Sequence, residues 1–180
     1  QNPDAQGSIA ARAVERLYEQ QTRWADLARL LERRALQSPP AEAVALRRRR
    51  AEILAASLGD LDGAAEELEL LSAVPAEEGT DRGLLDLLER IYRQAERHDD
   101  VLRTMQRQAD AANPADRLAI LRRLATEGEA RPDGQDRSAE ALEQILRIEP
   151  GDAEAFESLQ RIYRAADRPA ALAAAMARRL

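Results

Sequence analysis

Apolar residues recur along the chain at intervals of three and four, most clearly at Leu84, Leu85, Leu88, Ile91, Tyr92 and Ala95. That i, i+3, i+4, i+7 pattern predicts a helix with one apolar face. The same spacing appears at Trp24, Leu27, Leu30 and Leu31, at Val101, Leu102, Met105 and Ala109, and at Ala171, Leu172, Ala175 and Met176. Two further pairs of helical runs cover 46–58 with 61–74, and 117–130 with 137–148. Breaks fall at Ser38-Pro39-Pro40, Gly59-Asp60, Pro75, Asn113-Pro114, Arg131-Pro132-Asp133-Gly134 and Pro150-Gly151-Asp152, where Pro or Gly ends one helix and Asp or Asn can cap the next. The pattern predicts an all-α chain of about ten antiparallel helices in five hairpins, at about 9–37, 41–74, 81–112, 115–148 and 152–180, after a polar linker at 1–8.

No single helix can bury its apolar face alone, so the next question is whether the hairpins repeat. Val14-Glu15-Arg16-Leu17-Tyr18, Leu88-Glu89-Arg90-Ile91-Tyr92 and Leu159-Gln160-Arg161-Ile162-Tyr163 align without gaps. Successive tyrosines of these segments stand about twice the roughly 34 residues of a helix-turn-helix repeat apart, so each long period holds two hairpins.

In this phase the chain resembles the tetratricopeptide repeat family. The family pattern places a Pro about 21 residues after a Tyr late in the first helix, and the next Tyr about 13 residues after that Pro. Tyr18 to Pro39 and Tyr92 to Pro114 match the first interval to within one position, and Pro150 to Tyr163 matches the second. The segment from Ala141 to Asp152 is similar to the family's second helix with its Pro-containing exit turn. The chain departs from the pattern where small residues are expected: Glu15, Glu89 or Gln160 stands three before the Tyr, and Leu27, Val101 or Leu172 stands early in the second helix. Bulkier residues there imply more open hairpins. The resemblance implies a right-handed α-solenoid and an interaction scaffold whose concave face, lined by first helices, binds a peptide or partner helix.

Composition narrows the chemistry. Aromatics make up 3% of the chain, so the core must be built mainly from Ala and Leu, which favours helix over sheet. All 27 basic residues are Arg, a usage that fits the coding bias of a GC-rich bacterial genome. With a net charge of −6 and acids interspersed among the arginines, a nucleic-acid surface is not expected. The chain has no Cys and no apolar run of the roughly 20 residues needed to cross a bilayer. The cytoplasm is the expected compartment, with the periplasm left open.

The candidates for catalysis each have a structural explanation. His98, the only histidine, stands beside Asp99 and Asp100 at a predicted helix start, where carboxylates compensate the helix dipole. Asp60-Leu61-Asp62-Gly63 and Asp133-Gly134-Gln135-Asp136 lack the ligand spacing and distal Glu of a calcium loop and read as turns. No phosphate cradle, nucleophile elbow, thiolate pair or zinc motif is present, so no cofactor, metal or catalytic residue is expected and the chain reads as a non-enzyme. Arg47-Arg48-Arg49-Arg50, with Arg33 and Arg34, is the one dense basic run, but four consecutive residues point around a helix and cannot form one stripe. Exposed acid-first pairs at i, i+4 are expected at Asp86–Arg90, Glu89–Arg93, Glu143–Arg147 and Glu157–Arg161. Tyr18, Trp24, Tyr92, Phe156 and Tyr163 recur in repeat phase and are expected in the core.

The expected function is a scaffold for a protein or peptide partner. Its candidate partner-binding residues, placed by first-helix phase, are Arg12, Glu15, Arg16, Arg47, Arg50, Asp86, Glu89, Arg90, Glu157 and Gln160. Two alternatives stay open: a spacer or oligomerisation segment of a larger array, and an accessory repeat domain of an enzyme whose catalytic part lies elsewhere. The polar start and the end at Arg178-Arg179-Leu180, inside a predicted helix, suggest a fragment of a longer array.

Overall fold

A computed structural model describes residues 3–72 and 82–177, and the side chains from residue 10 onward. Among these residues there are ten α-helices and no strand. They run α1 (Pro3–Gln20), α2 (Trp24–Gln37), α3 (Pro40–Ile53), α4 (Leu61–Ser72), α5 (Arg82–Gln94), α6 (His98–Ala111), α7 (Pro114–Glu129), α8 (Gln135–Ile148), α9 (Ala153–Ala165) and α10 (Pro169–Ala177). The break expected at Pro75 and the chain end at Arg178-Arg179-Leu180 lie outside the described residues. The chain divides into two units, Gln1–Glu77 and Glu78–Leu180, with α1 to α4 in the first and α5 to α10 in the second.

Helix termini follow the local signals. Pro40 and Pro114 open α3 and α7, where a missing N–H costs nothing. The Asn113 Oδ1 accepts from the Asp116 N–H at 2.9 Å, Asp152 Oδ1 from the Ala155 N–H at 2.9 Å, and Asp60 Oδ1 from the Gly63 N–H at 2.9 Å. One expectation is corrected: α1 begins at Pro3, within the stretch read as a linker. Pro followed by an acid suits a first helical turn, and the polar composition of that stretch hid the signal.

The three aligned segments end in the same turn. Thr22, Glu96 and Asp167 each take a left-handed conformation, at φ of 53°, 56° and 50°. The residue after each, Arg23, Arg97 or Arg168, returns its N–H to the carbonyl of Tyr18, Tyr92 or Tyr163 at 2.8–2.9 Å. The Arg23 and Arg97 guanidiniums then lie 4.8 Å from the Tyr18 and Tyr92 ring centroids, a cation–π contact that folds the turn onto the helix.

In the first unit, the core is Leu27, Ala28, Leu31, Ala35, Leu46 and Ile53, with Tyr18 and Trp24 packed against it. In the second, Leu85, Leu88, Tyr92, Val101, Met105, Leu121, Leu124, Leu142, Ile145, Leu159 and Tyr163 are buried. Tyr18, Trp24 and Phe156 are half-buried while Tyr92 and Tyr163 are buried, so the aromatics serve packing. Sequential helices pack on one another in each unit.

The two hairpins that contain the α3–α4 and α7–α8 turns solve the same problem differently. After α3 the backbone widens into a π-helical turn over Leu54–Leu58, closed by Gly59 at φ 69°, a conformation glycine adopts without steric cost. After α7 a short 3₁₀ turn, Pro132–Gly134, leads into α8, and the chain passes so close that a Cβ on Gly134 would stand 2.6 Å from the Gly128 carbonyl oxygen. Buried Ser138 donates to the Ala125 carbonyl at 2.8 Å across that contact.

Candidate partner-binding surface

The first helices of successive hairpins are tied side by side by arginine–carboxylate pairs, many of them one repeat apart. In the second unit these join α5 to α7: Arg82 to Asp116 at 2.6 Å, Arg123 to Glu89 at 2.9 Å, and Arg93 to Glu127 at 2.6 Å, each pair 34 residues apart. From α9, Arg161 reaches Glu129 of α7 at 2.6 Å. In the first unit Arg49 of α3 reaches Glu15 of α1 at 2.8 Å, again across 34 residues. Second helices pair too: Arg137 of α8 donates to Asp99 of α6 at 2.9 Å, and Gln144 to Gln106 at 3.0 Å.

Glu15 and Glu89, which occupy the repeat position where a small residue is usual, are only 4% and 8% exposed. A buried carboxylate persists only when paired and hydrogen-bonded. Glu15 is held by Arg34 of α2 and Arg49 of α3. Glu89 is held by Arg93 of its own helix at 2.9 Å and by Arg123 of α7 at 2.9 Å. Burial pushes the Glu89 carboxyl up, but the hydrogen bond from Arg93 and the charge of Arg123 outweigh it and hold it below the ordinary carboxylate range. Two buried, arginine-bound glutamates therefore tie one first helix to the next, Glu15 through Arg49 and Glu89 through Arg123.

Around Glu15 lies an open groove of about 390 Å³ floored by Ala45 and Leu46 and walled by α1, α2 and α3. Arg34 also pairs with Glu42 at 2.8 Å, and Arg49 also pairs with Glu19. Arg12 and Arg16, one turn apart on α1, line the same groove with their side chains exposed. Neither forms a hydrogen bond or ion pair with a described residue.

Of the residues singled out from the sequence, the structure brings Arg12, Glu15 and Arg16 together on this groove. It separates Arg47 and Arg50 from them, since both guanidiniums pair with Glu67 of α4, Arg47 at 3.5 Å. In the second unit Asp86 accepts from Gln108 at 2.9 Å, Arg90 and Glu157 are not buried, and half-buried Gln160 accepts from Arg164 at 3.4 Å. Of the pairs expected within helices, Glu89–Arg93 forms. Between helices, Glu143 accepts from the Tyr163 hydroxyl at 3.0 Å, and Arg161 turns to Glu129. Arg34, Arg49, Glu19 and Glu42 are not among the residues that first-helix phase selects. The recurrence of Glu and Arg one repeat apart, as Glu15–Arg49 and Glu89–Arg123, is the signal that finds two of the tied positions.

His98 is half-buried at the start of α6, and its acidic neighbours are taken by arginines. Asp99 pairs with Arg103 and Arg137, whose hydrogen bond lowers its pKa, and Asp100 pairs with Arg97 and Arg103. Among the described residues no group of three or more His, Cys, Asp and Glu is placed to hold a metal ion, and no helix is long and apolar enough to cross a membrane.

No family model matches the sequence, and no curated protein matches it. Solved structures do. The chain is similar to a crystal structure of MamA protein at a TM-score of 0.50 and 12% identity, over 96% of this chain and 89% of that one. It is also similar to a Podosopora anserina putative kinesin light chain with TPR-like repeats, at a TM-score of 0.45 and 18% identity over 95% of this chain and 92% of that one. A third match is the C-terminal part of a TPR repeat-containing protein from Cytophaga hutchinsonii, at 0.44 and 14%, over 93% of this chain and 63% of that one. At such identities the likeness concerns the fold, and it agrees with the helix order, the repeated turns and the ties one repeat apart: the chain has a divergent TPR-like helical repeat fold.

Proposed function

We propose that this chain is a protein-interaction scaffold that receives a peptide or helix of a partner protein on the face built by its first helices, the concave face of a TPR-like stack. One observation carries the reading. The groove of about 390 Å³ along α1 and α3 is walled by charged side chains and floored by Ala45 and Leu46, so it offers apolar contact flanked by hydrogen-bonding groups. The ties that brace first helices support it, because a surface whose side chains are already held loses less freedom on binding. The chemistry needed is recognition, with no bond made or broken.

A display selection tests this. Random peptides are panned against the immobilised full chain, and enriched sequences are resynthesised and titrated by fluorescence anisotropy. The expected result is a family of peptides that compete with one another and lose binding when Ala45 is replaced by Arg to fill the groove. Absence of any enriched peptide, or binding indifferent to Ala45→Arg, would remove the proposal.

A further inference from the structure

We infer that the groove between α1, α2 and α3 docks an acidic segment of a partner protein, taking one carboxylate side chain between Arg12 and Arg16. The inference rests on the scaffold reading above and adds the chemistry of the partner.

The first argument is a charge count within the groove. Four guanidiniums, those of Arg12, Arg16, Arg34 and Arg49, face three carboxylates, those of Glu15, Glu19 and Glu42. Arg34 and Arg49 between them satisfy all three carboxylates. One positive charge is left over, and it resides at Arg12 and Arg16, which have no described partner. Standing one turn apart on one helix, the two can close on the same group.

The second argument comes from the same place one long period later, the step that carries Tyr18 onto Tyr92. Glu15, Arg16, Glu42 and Arg49 correspond to Glu89, Arg90, Asp116 and Arg123, with the sign of each charge kept. Arg12, however, corresponds to Asp86, Glu19 to Arg93 and Arg34 to Gln108. There the chain supplies its own carboxylate, and Asp86 accepts from Gln108 at 2.9 Å. In the first unit Arg34 is taken up by Glu15 and Glu42, so a carboxylate for Arg12 has to come from another molecule.

The surplus also selects the kind of anion. A single excess charge matches one carboxylate, whereas a phosphate carrying about −1.5 to −2 would leave negative charge uncompensated beside Glu15 and Glu19. Guanidiniums already hold carboxylates in this groove, at Arg34–Glu42 and Arg49–Glu15.

The probes are a short fluorescein-labelled peptide alternating Glu and Ser, and its Gln–Ser counterpart, titrated against the full chain by anisotropy at low ionic strength. The Glu peptide should bind the more tightly. The double variant Arg12→Gln/Arg16→Gln should weaken it about tenfold or more, the loss expected for charge-assisted hydrogen bonds, while Arg131→Gln, at an exposed position between α7 and α8, should leave it unchanged. Far-UV circular dichroism checks that the variants keep their helix content. Equal binding of the two peptides, or no loss in the double variant, would overturn the inference. So would inorganic phosphate or a labelled single-stranded oligonucleotide binding more tightly than the Glu peptide through the same two arginines. Selected peptides that bind the groove but lack Asp and Glu would sink this inference and leave the scaffold standing, whereas no bound peptide of any kind would sink both.

Discussion

The first hairpins of the two units, set one long period apart, use one plan with two different fillings. In both, a buried carboxylate (Glu15 or Glu89) stands late in the first helix and is tied to an arginine one repeat further on (Arg49 or Arg123). What differs lies around that tie. Arg34 of α2 supplies the second guanidinium in the first unit, while Arg93, from α5 itself, supplies it in the second. Position 12 offers an exposed arginine, whereas position 86 offers an acid already satisfied by Gln108. The shared pair therefore belongs to the architecture, and the exchanged residues distinguish the surfaces that each unit presents.

The largest effect should come from exchanging the units' solutions to the α3–α4 and α7–α8 turns. Leu54 opens the π-helical turn in the first unit, and its counterpart one long period on is Gly128. A Cβ on Gly128 would already stand 2.8 Å from the Gly134 carbonyl oxygen and 3.0 Å from Ser138 Cβ, so Gly128→Leu should cost about 3 kcal/mol. Urea unfolding followed by circular dichroism measures it, and a loss under about 1 kcal/mol would show that the turn relaxes into the wider form used by α3.

Next comes the tie itself. Removing both Arg93 and Arg123 leaves Glu89 buried without a cation and should cost about 3 kcal/mol, as for a broken buried pair. Arg123→Ala alone should cost about 1 kcal/mol, because that guanidinium is 57% exposed and Arg93 remains. If the single and double variants cost the same, Arg93 does not share the load.

The same tie sets a pH dependence. The Glu89 carboxyl lies below its ordinary value in the folded chain, so its contribution is complete above the unfolded value of about 4.3 and is lost as pH falls below that through the native value. Glu89→Gln should flatten that part of the stability curve, compared as urea midpoints at neutral and acid pH. An unchanged curve would mean that other carboxylates, such as Asp99 and Asp152, govern the acid limb.

The smallest effect concerns the repeated left-handed turn. Thr22 and Glu96 hold the same conformation at φ of 53° and 56°, and a β-branched residue tolerates it worst. Relief of that strain, less the extra freedom of glycine in the unfolded chain, should leave Thr22→Gly more stable by about 0.5 kcal/mol. Glu96→Gly should gain less. Thermal melts rank the two, and a reversed order would place the strain elsewhere.

Local pattern along the chain was enough to place the helices and their punctuation. Three- and four-residue periodicity, Pro at first turns and Asp or Asn at caps are local, and Asn113, Asp152 and Asp60 cap as their positions imply. It also determined the repeat phase, since Tyr18, Tyr92 and Tyr163 each end their segment in the same turn. It misjudged Pro3 to Ser8, where polar composition masked a helix start. Which charge meets which was legible only once the helices were packed. Arg47, Arg49 and Arg50 look equivalent along the chain, yet Arg49 turns to Glu15 and Glu19 while Arg47 and Arg50 turn to Glu67. Helix formation is governed by residues three and four apart, but the partners of Arg49 and Arg50 stand on other helices, far along the chain from them. Choosing among many similar acids at that range needs the packed positions of neighbouring helices.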